Sequence, residues 1–173
     1  MISTTHPIRH FFILTILLLS GCGFHLRGMI SVPSWLNNVA IVVEHAHRDL
    51  GDNLAALLKS YHIVISPTPA AADYLLIIER DDTTEEIASV SSSTTARQYQ
   101  LTYKVCFKLI KKNGEEIIPS THVMVTREVT INNNRILGSN QEEALLKSEM
   151  RRDAATQILS RINRNRFIKE HLK

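Results

Sequence analysis

His45-Ala46-His47 sets two imidazoles two residues apart, and on an extended strand that spacing puts both on one face. The pair offers two metal ligands, whereas a catalytic zinc site takes three protein ligands and an open position. A third would have to come from Asp49 or His62, and the local pattern does not bring either one there. The acidic pairs Asp81-Asp82 and Glu85-Glu86 are the other candidates. General acid–base work needs one carboxyl desolvated so that its pKa rises. These four lie in a polar stretch that runs into Ser91-Ser92-Ser93-Thr94-Thr95, and solvated surface is the simpler expectation. The chain has no Gly-x-Ser-x-Gly elbow, no Ser-x-x-Lys motif and no phosphate-cradling glycine loop. The expectation is a protein that is not an enzyme and takes no cofactor and no metal.

Cys22 is the residue whose chemistry the context does specify. Met1–His10 carries one basic residue, Arg9, and no acid, and Phe11–Leu19 is almost unbroken hydrocarbon. That apolar run fits the h-region of a signal peptide and is too short to cross a bilayer as a helix. Leu19-Ser20-Gly21-Cys22 then resembles the bacterial lipobox, in which the cysteine thiol takes a diacylglyceryl group and becomes the first mature residue. More than one acyl chain is needed for stable anchoring, each buried CH₂ contributing about 0.8 kcal/mol. Gly23 follows in place of an aspartate, which by resemblance to lipoprotein sorting implies the outer membrane over retention at the inner one. With Cys22 acylated, Cys106 has no disulfide partner. It is expected to act as a small buried side chain.

The elements that would position any site follow from hydrophobic periodicity. Val39–Val43 is short and β-branched, as a strand buried on both faces would be. Asp49 is placed to cap a helix, in which Leu50, Leu54, Leu57, Leu58 and Tyr61 make an amphipathic stripe. Pro67 and Pro69 demote His62–Ser66 to a loop or edge piece, and Tyr74–Ile78 is the second buried strand. Asp81–Thr95 is expected to be a loop or a weak extension of that strand. Tyr99, Leu101, Tyr103, Val105, Phe107 and Leu109 alternate with mostly polar residues, the mark of a long half-buried strand. After the Asn113-Gly114 turn signal the chain returns through Val123, Val125, Val129 and Ile131. This antiparallel hairpin is too long for a small sheet to cover, so its polar face is expected to meet water or a partner. Leu146, Met150, Ala154, Ile158 and Ile162, with Ala155 and Leu159 beside them, mark a final helix from about Asn140 into the Arg161–Arg166 region. The order β-α-β-β-β-α predicts an α+β fold, with two helices packed on one face of a four-stranded, largely antiparallel sheet.

The expected organisation is a signal peptide over 1–21, a lipidated tether over 22–37, a single α+β domain over 38–166 and a basic tail over 167–173. About 150 mature residues suit one domain with a real core. The formal net charge of +3 falls to +2 when Arg9 leaves with the signal, too mild to argue for nucleic acid. The charge is uneven, however. From Arg151 onward come Arg151, Arg152, Arg161, Arg164, Arg166, Lys169 and Lys173 against Asp153 and Glu170. Such a terminus could meet anionic head groups or an acidic partner surface, or simply be the solvated side of a helix.

The lipobox is followed at once by Gly23-Phe24-His25-Leu26-Arg27-Gly28 and then Val32-Pro33. This opening resembles that of the LptE family of lipopolysaccharide-assembly lipoproteins. Tyr99-Gln100-Leu101, Arg127 in the returning strand and the final helix from Ala144 to Ile162 are similar to that family as well. The resemblance implies an outer-membrane, periplasm-facing lipoprotein. Its implied role is to sit inside the LptD-type β-barrel translocon, support its assembly and assist transfer of lipopolysaccharide to the outer leaflet. The alternative is a generic outer-membrane lipoprotein scaffold, such as a pilotin or barrel-assembly accessory. Family positions that contact the glycolipid with basic residues fall on Ser92 and Ser139 here. Arg97 and Arg135 lie close by, so Arg97, Arg127 and Arg135 are the candidate lipopolysaccharide contacts, Arg being favoured for bidentate phosphate binding. A cross-strand ion pair within the hairpin would explain Arg127 equally well.

Overall fold

The computed structural model describes residues 32–90, 96–132 and 136–170, with side chains over 32–87, 98–129 and 141–165. Cys22, the expected signal peptide, most of the expected tether, Ser92 and Arg135 lie outside the described residues. β1 (Asn38–His45) leads into helix α1 (Arg48–Ser60), short β2 (Val64–Ile65), a 3-10 turn over Pro69–Ala71, and β3 (Tyr74–Val90). Then come β4 (Ala96–Lys111), β5 (Glu116–Asn132) and α2 (Ile136–Glu170). The fold is α+β with two helices, as expected, but the sheet is five-stranded and mixed, in the order β2-β1-β3-β4-β5. β1 runs parallel to both β2 and β3, while β3–β4 and β4–β5 are antiparallel. The cause is α1: a helical return brings the chain back to the end where β1 began, so the next strands must start there too. His62–Ser66 is indeed an edge piece, and it pairs with β1 through Asn38 and Val39.

Alternation on β4 defines the two faces of the sheet. Leu101, Tyr103, Val105, Phe107 and Leu109 are buried, while Gln100, Thr102, Lys104, Cys106 and Lys108 are half-buried or exposed. The buried set meets Leu50, Leu54 and Leu58 of α1 and Met150, Ala154, Ala155, Ile158, Leu159 and Ile162 of α2 in one core. Burying each large aliphatic side chain there contributes on the order of 1.5–3 kcal/mol. No element covers the opposite face among the described residues, which explains two departures from expectation. Val42, on the outer face of β1, is only half-buried, so β1 is not buried on both sides. Cys106 is a free, half-buried thiol on the outer face rather than a core side chain.

The other differences are local. β3 does not break into a loop at Asp81 but runs on, paired with β4, to Val90. α1 is preceded by His47 as N-cap, with Asp49 in the first turn, so Asp49 is not the cap. The Asn113-Gly114 turn forms as read: Gly114 takes φ 88°, a region favourable to glycine, and its N–H donates to Lys111 O at 2.9 Å.

Candidate functional site

Bulges in the sheet decide which polar side chains turn toward the helices. Register shifts between Ile78 and Arg80, so Glu79 is an extra residue and Asp81 falls opposite Val105 on the helix side. Its side chain is only 3% exposed. One Asp81 oxygen accepts the Tyr103 hydroxyl at 2.6 Å and the His47 backbone N–H at 3.2 Å, with His47 Nδ1 2.9 Å away. Burial and the adjacent Asp81 carboxylate push the Tyr103 phenol well above the ordinary tyrosine range, so it stays a donor. Next to this knot Arg151 of α2 reaches Asp49 at 3.3 Å. The group therefore ties the start of α1 to the sheet, with α2 joined to the same helix turn. It is built for holding, since the phenol keeps its proton and the carboxylate is already engaged.

The imidazole pair does not form as a metal face. β1 ends at His45, and the chain turns so that His47 leaves the strand for the α1 N-cap and meets Asp81. His45 instead lines an outer-face cleft with Glu44, Glu79, Arg80, Cys106 and Ser120. His62 sits beyond the far end of α1, in a left-handed conformation with φ 64°. The acidic pairs are not a solvated loop either. The Asp81 side chain is buried, Asp82, Glu85 and Glu86 are exposed, and all four belong to β3. Glu79 is held below the usual carboxylate range, chiefly by the Ser120 hydroxyl at 2.5 Å and then by Lys108 at 3.2 Å. The buried, hydrogen-bonded Asp81 side chain was invisible in the sequence, because the parity change at Glu79 carries no composition signal.

The candidate glycolipid residues divide between described and undescribed parts. Arg127 stands opposite Leu101, on the helix-facing side of β5, and pairs with Asp153 of α2. The anticipated cross-strand partner within the hairpin is therefore replaced by one on the helix, because the inward phase of β5 aims this position at α2. Arg97 occupies the second position of β4, in register with Val90 and Ile131. Its backbone is thus at the end of the ribbon remote from the Asn113-Gly114 turn. Arg135 lies outside the described residues, immediately before Ile136. Ser139 falls in the first turns of α2, with no side chain described. At this remote end the helices leave the β3 face open: Ile87 is 58% exposed, as is Leu145 of α2 at 62%.

A long three-stranded ribbon, anchored on a two-helix core and open on one face, matches the fold of solved bacterial lipoproteins. Lipoprotein B from Nitrosomonas europaea superposes with a TM-score of 0.65 at 24% identity, covering 82% of this chain and 90% of that one. Rare lipoprotein B from Shewanella oneidensis gives a TM-score of 0.66 at 20% identity, with 78% and 100% covered. The LptE family model, described as lipopolysaccharide-assembly, matches residues 29–162, and the chain belongs to that family. Among its relatives, the LPS-assembly lipoprotein LptE of Pectobacterium atrosepticum is 26% identical over 92% of this chain and 88% of its own length. The protein of the same name from Photorhabdus laumondii is 26% identical over 86% and 81%. No helix among the described residues is long and apolar enough to cross a membrane.

Proposed function

We propose that this chain is an outer-membrane lipoprotein, held on the periplasmic side by acylated Cys22. In this reading it plugs and supports assembly of an LptD-type β-barrel translocon and assists lipopolysaccharide transfer to the outer leaflet. The observation that carries the reading is family membership across residues 29–162, joined to the ribbon of β3, β4 and β5 with its open polar face. Thr102 and Thr126 stand opposite one another there, flanked by Lys104 and Met124, a surface suited to the polar lumen of a wide barrel. Arg97, Arg127 and Arg135 are the proposed contacts for lipid A phosphates. Arg127 is half-exposed beside Asp153, so an incoming phosphate would compete with a carboxylate already in place.

The test is a mild-detergent pull-down from outer membranes with a C-terminal tag. Stoichiometric recovery of a large β-barrel is expected. Recovery of the folded lipoprotein alone would overturn the plug reading and favour a generic scaffold. Intact mass of the purified protein checks the anchor, since a mass lacking acyl chains on Cys22 would refute it.

A further inference from the structure

The basic C-terminal helix is not absorbed by the glycolipid reading, because its arginines lie at the wrong end of the molecule. Asn165 Nδ2 donates to Ile117 O at 2.7 Å, which fixes this stretch of α2 beside the start of β5. Trp35, where the chain enters the domain, packs against Tyr74, and Tyr74 is in register with Lys111. The tether entry, the Asn113-Gly114 turn and the Arg161–Asn165 stretch of α2 therefore share one end. At that end a groove is lined by Ile118, Pro119, Thr121, Arg161, Arg164 and Asn165.

Two observations separate this groove from an ordinary solvated helix face. Among the described residues, neither Arg161 nor Arg164 has a carboxylate in ion-pair reach. The nearby Glu115 is engaged with Lys111, and Glu116 stands opposite Ile110 on the other face of the sheet. Nor does the helix dipole account for the arginines, because α2 continues to Glu170 and that field acts only within the last turn. The groove is thus a pair of uncompensated guanidinium groups above an apolar floor of Ile118 and Pro119.

We infer that this groove binds the phosphate head group of an anionic phospholipid in the leaflet that holds the anchor. The inference rests on the anchored orientation proposed above. Val32 is ten residues from Cys22 in the sequence, and an extended chain reaches roughly 3.3–3.6 Å per residue. The groove end is therefore leashed close to head groups. Guanidinium forks suit the phosphate oxygens, and Ile118 and Pro119 suit the glycerol and upper acyl carbons beneath them.

The test uses the full mature chain carrying Cys22→Ala, so that partition reports the groove without the anchor. Flotation is measured with phosphatidylcholine vesicles and with vesicles containing phosphatidylglycerol. Preference for the anionic vesicles is expected. The Arg161→Gln/Arg164→Gln variant should lose about thirtyfold in partition, since each basic side chain near such a surface contributes about 1 kcal/mol. Arg161→Lys/Arg164→Lys should retain most of the binding. The charge-matched control Arg48→Gln/Arg152→Gln, at two exposed arginines outside the groove, should leave it unchanged. Equal partition to both vesicle types, or no loss in the Gln variant, would overturn the inference. Displacement by millimolar inorganic phosphate at constant ionic strength would also overturn it, in favour of a free-anion site. Acylation of Cys22 is read separately by mass, so failure of the anchor and failure of the groove are distinguishable.

Discussion

Tyr103→Phe isolates the knot that joins α1 to the sheet. The ring is 2% exposed and is retained, so no cavity opens and only the hydroxyl is lost. That hydroxyl donates at 2.6 Å to Asp81, whose side chain is 3% exposed, and water cannot readily replace it. Hydrogen bonds to charged groups contribute about 1.5–3 kcal/mol; because His47 still serves the same oxygen, a loss of about 2 kcal/mol is expected. For a domain of this size that corresponds to a fall in Tm of roughly 4–8 °C. Urea denaturation at pH 7 measures it, and a double-mutant cycle with Asp81→Asn should return a coupling of at least about 1 kcal/mol. The pH dependence is a second readout. Burial and the Asp81 carboxylate raise the Tyr103 pKa above its unfolded value of 10.0. The native state therefore holds this proton more tightly, and the stabilisation is complete below pH 10. Above it, stability falls by about 1.4 kcal/mol per pH unit, continuing toward the raised folded pKa. The Phe variant should lack that component of the alkaline decline. A change below about 0.5 kcal/mol at pH 7, or identical alkaline limbs in the two proteins, would refute the role assigned to the knot.

Three further substitutions probe the scaffold and the candidate contact. Ile158→Ala removes a fully buried side chain of α2 and should cost about 2–5 kcal/mol; a shift under 1 kcal/mol in urea melts would contradict the packing. Gly51→Leu should destabilise by about 2 kcal/mol, because any Cβ there lies 2.9 Å from a Val43 methyl whose branched side chain has little rotamer freedom. Val43→Ala should recover part of that loss, and no recovery would place the strain elsewhere. Arg127→Gln should cost less than about 1 kcal/mol, since both partners of the Arg127–Asp153 pair are nearly half-exposed. It should nevertheless weaken lipopolysaccharide binding, and unchanged binding in a stable variant would remove Arg127 from the contact set.

The sequence carried the elements better than their arrangement. The stripes Leu50-Leu54-Leu58 and Met150-Ala154-Ile158 and the alternation from Tyr99 to Leu109 have repeats tied to one backbone geometry, so they survive in the fold unchanged. β2 was hidden as a strand because it is only Val64–Ile65, too short to have a period, and the parallel pairing of β1 with β3 makes the sheet mixed even without it. The extension of β3 to Val90 was hidden for another reason. Four of the six residues from Asp81 to Glu86 are carboxylates of low β-propensity, and pairing with β4 holds them in the strand. One inserted residue at Glu79 then inverts the facing of the strand as far as Ile87, where a second register shift follows. Sequence parity consequently could not tell that Asp81 is the buried member of its pair and Asp82 the exposed one. Arg127 was legible as a charged position in an inward phase, but its partner was not, since Asp153 comes from an element whose placement only the packing determines.

These facings give the proposed function a geometric consequence. The tether entry and the arginine groove share one end of the ribbon, and Arg97 lies at the other. β4 has 16 residues, and at about 3.4 Å per residue it spans on the order of 50 Å. That exceeds the roughly 30 Å hydrocarbon thickness of a bilayer, even after allowance for tilt. A domain leashed at the periplasmic leaflet and seated in a barrel would therefore present its far end near the opposite leaflet, where lipopolysaccharide must be delivered. The expected result is polar along the molecule: a photo-crosslinking residue at Arg97 should capture lipopolysaccharide in cells, while one at Lys112, beside the tether entry, should give background. Equal capture at both positions would mean that the glycolipid does not distinguish the two ends. The assignment of Arg97 to its path would then fail even if the barrel partnership held.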